Sequence, residues 1–518
     1  MAPSVTASRE RRVADSGHYH AGVGLRVVFL SSECEPWAKT GGLADVVDAL
    51  ARAVGGLPDD AIDGDVDVFL PRYQAVPAPR PEAVLAETTI PVPDPRARTG
   101  SSDVTIIDVA ADGYRVRLVD HPPAFDRAGF YGDPAGDYAD NAWRFGLYVR
   151  ASLEALRAEG RPVDVLHAHD WQAGPAGIFR GRSYSEDPII GPAAMVTTLH
   201  NLAYHGWTWN ADLPQLGLRP GDGAPGQNPD GIDLLAAGID AAEIVNTVSP
   251  TYAREALTPQ IGMGLDGLLR SKGDRFLGIL NGLDNGVWDP HRDAALAAPY
   301  SRADRAGKGV CRADLLTRNG MDPVDRRPVI GMIGRLDPQK GFDLLARAAP
   351  ALLERGARLV VQGAGDPALA DPFRELAAAS PGKVAFIERF DRDMARRIYA
   401  GADFFVMPSR FEPSGQGQMI AMRYGTPPIV RRTGGLADTV TDVTRQPGSG
   451  TGFVFDEATA EALLAACDRA FELRANGGMV WDRLIDRVMA ADFDWSTGAA
   501  PRYIEAYRRA VEIRRGTD

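Results

Sequence analysis

The stretch that most restricts the fold of this chain runs from Ala402 to Val440, ADFFVMPSRFEPSGQGQMIAMRYGTPPIVRRTGGLADTV. Its first six residues are a short apolar run of the kind that forms a fully buried strand, and the run stops at Pro408-Ser409. A helical pattern opens near Gly417 and carries Met419, Ile420, Met422 and Tyr424. Gly425-Thr426-Pro427-Pro428 breaks it, Ile429-Val430 reads as the next strand, and Gly434-Gly435 opens another helix. Strand, loop and helix in repetition are the pattern of a parallel α/β sheet. Ligands of such sheets bind beyond the carboxyl ends of the strands, and two loops here lie at that edge. One carries Glu412 and the other the glycine pair, which together suit a sugar joined to a phosphate: the carboxylate takes hydroxyls, and helix-start amides take the anion.

The hexapeptide Thr-Gly-Gly-Leu-Ala-Asp at 433–438 also occurs, identically, at 40–45. Two copies so far apart are no solenoid period. They read as one local solution used once in each of two α/β halves, with Lys39 and Arg432 beside them favouring an anion at each helix start.

A chain of 518 residues exceeds what one core supports, so two domains are expected. No apolar run approaches the roughly 20 residues that span a bilayer, and no membrane partner is expected. Residues 1–24 lack the apolar core of a signal peptide and read as a disordered leader on a cytoplasmic protein. Cys34, Cys311 and Cys467 have neither metal-ligand spacing nor a disulfide framework. With 69 acidic against 57 basic residues the net charge is -12, which argues against a nucleic-acid partner.

In chain order, 25–32 is a buried-strand signal, 65–70 a second strand ending at Pro71, and 77–102 reads as loops and edge strands. A long helix begins near Asp137 and reaches about Ala158. The strand 163–171 ends in His167, His169 and Asp170, and the strand 194–201 ends in His200-Asn201. His167 and His169 share a strand face, but no third ligand stands in register and no metal is assigned. Polar residues at several strand tips signal a cleft. A further strand lies at 241–249, and 278–284 closes the first half. The segment 285–327 reads as a hinge plus one helix. A second sheet starts at 328–334, continues at 358–366 and 384–387, and helices occupy 459–475 and 482–515.

These residues match a family pattern. KTGGLADVV at 39–47, HAHDW at 167–171, TLHNLAYHG at 198–206, TVSPTYARE at 247–255, NGLDNGVWDP at 281–290, GRLDPQKG at 334–341, SRFEPSG at 409–415 and RRTGGLADTV at 431–440 resemble bacterial glycogen synthases and plant starch synthases. The motifs fall in order and cover the chain from about residue 25. The resemblance implies an α/β fold with two Rossmann-like domains facing across a cleft, the GT-B architecture. It implies domains at 25–284 and 328–490, with a C-terminal helix in 491–518 crossing back to the first. It further implies retaining transfer of glucose from ADP-glucose to an α-1,4-glucan, with no metal and no cofactor beyond the nucleotide sugar. Carried over by position, Lys39, Gly41, Gly42, Arg335 and Lys340 would serve the diphosphate, and Glu412 would lie by the glucose. His200 and Asn201 would contact the sugar, Asp170 would form the site wall, and Phe390 would stack on the base. Ser414, Gly415, Gln416, Gly417, Thr433, Gly434 and Gly435 would complete the donor site.

The chain departs from the family pattern after Glu412. Where E-P-C-G-L-T-Q is usual, it has Glu412-Pro413-Ser414-Gly415-Gln416-Gly417-Gln418. Gln416 and Gly417 fall where backbone amides and a hydroxyl would meet phosphate and sugar, which leaves the nucleotide open. Two other readings remain: a related GT-B sugar-nucleotide enzyme with another donor such as UDP-glucose, and a glucan-binding protein without catalysis. Without a metal, the charge that grows on a departing diphosphate has to be met by Arg335, Lys340, Lys39 and helix N-termini. A carboxylate at Glu412 can offset the positive charge developing at the sugar carbon.

Overall fold

The computed structural model describes residues 24–58, 61–63 and 66–516. The leader expected at 1–24 lies outside them but for residue 24, as does Asp65 at the start of the expected second strand. Two sheets organise the chain. The first has nine strands in the order Phe276–Gly278, Ile244–Thr247, Ala194–Leu199, Val165–His169, Val27–Leu30, Val66–Pro71, Tyr114–Asp120, Ser101–Ala110 and Val84–Pro93. The first seven pair in parallel and the last two join antiparallel. The second has six strands, all parallel: Val384–Ile387, Arg358–Gly365, Val329–Leu336, Phe404–Met407, Pro428–Arg431 and Phe453–Phe455.

Parallel strands covered by helices on both faces need apolar side chains on both. Val27–Leu30 and Ala194–Leu199 are accordingly buried at every position. The antiparallel margin differs. Val84–Pro93 buries only Ile90 and Val92, and places Pro91 and Pro93 on the outermost strand, where a missing N–H is tolerated. The strands Ser101–Ala110 and Tyr114–Asp120 follow where the sequence reading placed none.

In each sheet the chain starts in the middle and builds outward in both directions. The reversal falls between Val27–Leu30 and Val165–His169 in the first sheet, and between Val329–Leu336 and Phe404–Met407 in the second. A crevice opens at such a switch point, beyond the carboxyl ends of its two strands.

The segment 285–327, expected to be a hinge plus one helix, carries the helix Ala306–Arg318. Cys311, Leu315 and Leu316 give the helix Ala306–Arg318 an apolar face that closes over the second core, beside Tyr300 and Met321. The first core reaches Ile279 and the second begins at Leu283; the second ends at Met489 and the first resumes at Trp495. The two passages run side by side, Leu283 donating its N–H to the Phe493 carbonyl at 2.6 Å. The helix Ala500–Arg515 then lies against the first sheet. There the Tyr507 hydroxyl meets His167 Nδ1 at 2.9 Å, and Asn246 Nδ2 donates to the Tyr503 hydroxyl at 3.2 Å.

Tyr507 is fully buried. Tyr507→Ala is therefore expected to destabilise the first domain by about 3–5 kcal/mol in urea unfolding, the cost of an emptied aromatic site. Val480→Ala, at a position 58% exposed, is expected to stay within about 0.5 kcal/mol. Equal effects would contradict this packing.

Candidate active site

The two switch points face each other across a cavity of about 570 Å³. On the second-domain side, Lys340 Nζ donates to both oxygens of Glu412, at 2.9 and 2.7 Å, and Ser409 Oγ donates to Oε2 at 3.0 Å. Glu412 is 4% exposed, so its charge is neutralised by a partner rather than by water. The loops carrying the pair are knitted together. Arg410 N–H donates to the Gln339 carbonyl at 2.7 Å, and Gln339 Nε2 donates to the Phe411 carbonyl at 3.1 Å. Gly341, at φ 72, sits where a methyl group would lie 2.2 Å from the Pro408 carbonyl, so only glycine lets the loops meet. Arg335, next to last in its strand Val329–Leu336, is exposed and lines the cavity. Among the described residues its guanidinium has no protein partner.

On the first-domain side, His200 and Asn201 line the cavity at the tip of their strand. The His200 N–H donates to Asp170 Oδ1 at 2.7 Å. Asp170 itself takes φ 55, a left-handed conformation unusual for a residue other than glycine. Burial pushes its carboxyl up to about 7, against the pull of the His200 and Asn201 amides. His200 Nε2 lies 3.0 Å from His169 Nδ1, and the His169 ring centroid is 4.1 Å from that of His167. Burial pushes the His200 imidazole down to about 3 and the other two well below the usual range. All three are neutral at pH 7.

The two identical hexapeptides serve different purposes. At the first, a methyl group on Gly41 or Gly42 would meet nothing within 4 Å, and both glycines line the cavity. The Thr40 and Gly41 amides donate to the carboxylate of Glu33, at 2.6 and 3.1 Å. At the second, a methyl group on Gly434 would lie 1.9 Å from the Glu412 carbonyl, and one on Gly435 2.0 Å from the Ser414 carbonyl. These glycines let the backbone pack beneath the Glu412 loop. Thr433 Oγ1 and the Gly434 amide donate to Glu255, from the first domain, at 3.1–3.2 Å. Thr433, Gly434 and Gly435, expected at the donor, stand behind the wall instead.

Three more of the expected residues have other surroundings in the structure. Lys39 Nζ pairs with Asp45 at 2.5 Å and Glu35 at 3.4 Å, and does not line the cavity. Arg432 pairs with Asp456 at 2.7 Å. Phe390 is 72% exposed, in a loop where Asp391 pairs with Arg389 and caps the helix Arg392–Gly401, whose first residue reaches Glu35 of the first domain at 3.0 Å. Ser414, Gly415, Gln416 and Gly417 do line the cavity.

Sequence reasoning missed Glu33, three residues beyond the end of the strand Val27–Leu30, and Tyr131, whose hydroxyl donates to it at 2.7 Å. It also missed Gln418. This fully buried amide donates to the Ser414 and Gly415 carbonyls and to Thr439 Oγ1, at 2.9–3.2 Å, tying the Glu412 loop to the helix Gly434–Thr439. A polar residue inside the helical pattern at 417–424 was the only available signal.

Comparison with known proteins decides the family. The starch synthase catalytic domain matches residues 26–271, and glycosyl transferases group 1 matches 327–472. A glycogen synthase of Syntrophotalea carbinolica is 40% identical over 94% of this chain and 99% of its own length. The chain belongs to the glycogen synthase and starch synthase family. Another glycogen synthase, from Anaeromyxobacter dehalogenans, is 41% identical over 93% of this chain and 99% of its own. Among solved structures, the catalytic domain of starch synthase IV from Arabidopsis thaliana, bound to ADP and acarbose, superposes with a TM-score of 0.84. It is 33% identical, covering 94% of this chain and all of that one. The two sheets and the cleft between them are the GT-B architecture of this family.

A family member whose cleft wall rests on three buried neutral imidazoles resists acid poorly at that wall. An unfolded histidine titrates near 6.5 and these titrate lower, so their contribution is present above that pH and is lost as the pH falls below it. His169→Gln is expected to lessen the fall in urea midpoint between pH 7 and pH 5. An unchanged slope would mean that His169 is protonated in the folded protein.

Proposed function

We propose that the protein elongates an α-1,4-glucan, glycogen, by transferring glucose from ADP-glucose with retention of configuration. The observation that carries this reading is the unpartnered Arg335 guanidinium beside the Lys340–Glu412 pair, at one switch point and opposite the His200-Asn201 tip at the other. Arg335 meets the diphosphate directly. Lys340 reaches it by leaving Glu412, which frees the carboxylate to face the positive charge developing at the sugar carbon. Both contacts strengthen as the bond to phosphate breaks, so they act on rate more than on donor binding. His200 and Asn201 hold sugar hydroxyls, Asp170 fixes their backbone, and the open approach at Gly41-Gly42 leaves room for phosphate. The backbone of Ser414 to Gly417 borders the donor. The family supports the glucan acceptor, and the ADP bound to the Arabidopsis relative supports adenine as the base.

Both domains supply donor contacts, so productive binding brings them together about the paired passages at 279–283 and 489–495. The three free, buried cysteines accord with a reducing cytoplasm.

Incubating the protein with ADP-glucose and glycogen should release one ADP per glucose added, faster than UDP-glucose releases UDP. Arg335→Ala should lower the rate by about 10²–10³-fold, as loss of a transition-state charge contact does. Arg432→Ala, whose partner is Asp456 outside the cavity, should stay within about twofold. Faster transfer from UDP-glucose would overturn the donor, and ADP release without chain growth would overturn the acceptor.

A further inference from the structure

Four aromatic side chains among the described residues are strongly exposed: Tyr204, Trp207, Trp209 and Phe390. Three of them fall within the six residues 204–209. Trp207 and Trp209 hold alternate positions of the short strand Trp207–Trp209, with Thr208 buried between them, so both side chains leave the same face. They are 38% and 60% exposed, and their ring centroids lie 5.4 Å apart at an interplanar angle of 80°.

This strand is rigidly placed. It pairs antiparallel with Gly231–Asp233, where a methyl group on Gly231 would lie 2.2 Å from the Thr208 carbonyl. His205 Nδ1 binds Asp233 Oδ2 at 2.5 Å, and Gly206, at φ 66, sits against the Trp171 ring that lines the cavity. The patch adjoins the cleft: His200, Asn201 and Tyr204 line the cavity, and Gly206, next to Trp207, packs on the cavity-lining Trp171. An exposed pair of aromatic side chains on a strand, their rings nearly at right angles, marks a binding surface. The net charge of -12 disfavours a polyanion there. A neutral sugar chain fits, because its C–H faces lie flat on aromatic rings while its hydroxyls stay in water.

We infer that Trp207 and Trp209 form an accessory platform for the glucan. Inner residues of the acceptor, already outside the cavity, stack on the two rings while the chain end occupies the cleft. This rests on the proposed function for the identity of the polymer. A short acceptor that ends within the cleft does not reach the platform.

The test compares wild type with Trp207→Ala/Trp209→Ala and with Trp207→Phe/Trp209→Phe, using glycogen and maltotriose as acceptors at saturating ADP-glucose. The alanine variant should raise KM for glycogen about tenfold while keeping kcat, and leave maltotriose unchanged, whereas the phenylalanine variant keeps most of the glycogen affinity. Mobility in native gels containing glycogen reads the same binding without catalysis, so it distinguishes failure of the platform from failure of the glucosyltransferase reading. Wild type slowed by glycogen and the alanine variant not slowed supports the platform even where no glucose is transferred. Unchanged glycogen affinity in the alanine variant, or an equal loss with maltotriose, overturns it. So does a variant that loses only self-association in sedimentation, which would assign the face to a second copy of the chain.

Discussion

The cleft depends on the pair between Lys340 and Glu412. A buried carboxylate lining the cleft is costly unless something neutralises it, and Lys340 does so through both oxygens. Removing either partner would strand the other, so the two loops that carry them hold a fixed relation, enforced by Gln339 and by the glycine at 341. The first domain holds a carboxylate by hydrogen bonds instead. Glu33 occupies the Thr40 and Gly41 amides, with Tyr131 donating to the same carboxylate. Of the two cations that line the cavity, Arg335 alone has no protein partner among the described residues. On the proposed function, a diphosphate entering the cleft would meet one ready cation and one that must change partner.

The domains are also joined away from the substrate. Glu255 of the first domain holds Thr433 and Gly434 of the second, while Asp438 of the second accepts from the Thr251 amide at 2.9 Å and its hydroxyl at 2.6 Å. Each helix start is thus held by a carboxylate from the opposite domain, which suits the positive end of a helix. Because the helix Gly434–Thr439 also carries Thr439, bonded to Gln418, this contact reaches the loop behind Glu412.

Much of this was legible in the sequence, for identifiable reasons. Parallel strands must be apolar on both faces, so 163–171, 194–201, 328–334 and 402–407 stood out, and their carboxyl ends drew attention to Asp170, His200, Arg335 and Glu412. The strand Ser101–Ala110, SSDVTIIDVA, was missed because the antiparallel margin mixes polar and apolar residues. Charge was read correctly in sign but not in partner. Lys39 and Arg432 flank the repeated hexapeptide, yet neighbouring carboxylates take both. Nothing in six identical residues distinguishes glycines that face a cavity from glycines that pack on a carbonyl, since the difference lies in Glu33 against Glu255 and in the loop above. Gln418 and Glu33 hold other groups in place, a role that appears only once distant segments are brought together.

The central claim is that the diphosphate is held by Arg335 and by a Lys340 that has left Glu412. A crystal structure of the protein with ADP tests it most directly. Lys340 Nζ and the Arg335 guanidinium should each lie within about 3 Å of a phosphate oxygen, with the Lys340–Glu412 contact broken. A diphosphate bound elsewhere, with that pair intact and Arg335 still in solvent, would contradict the account.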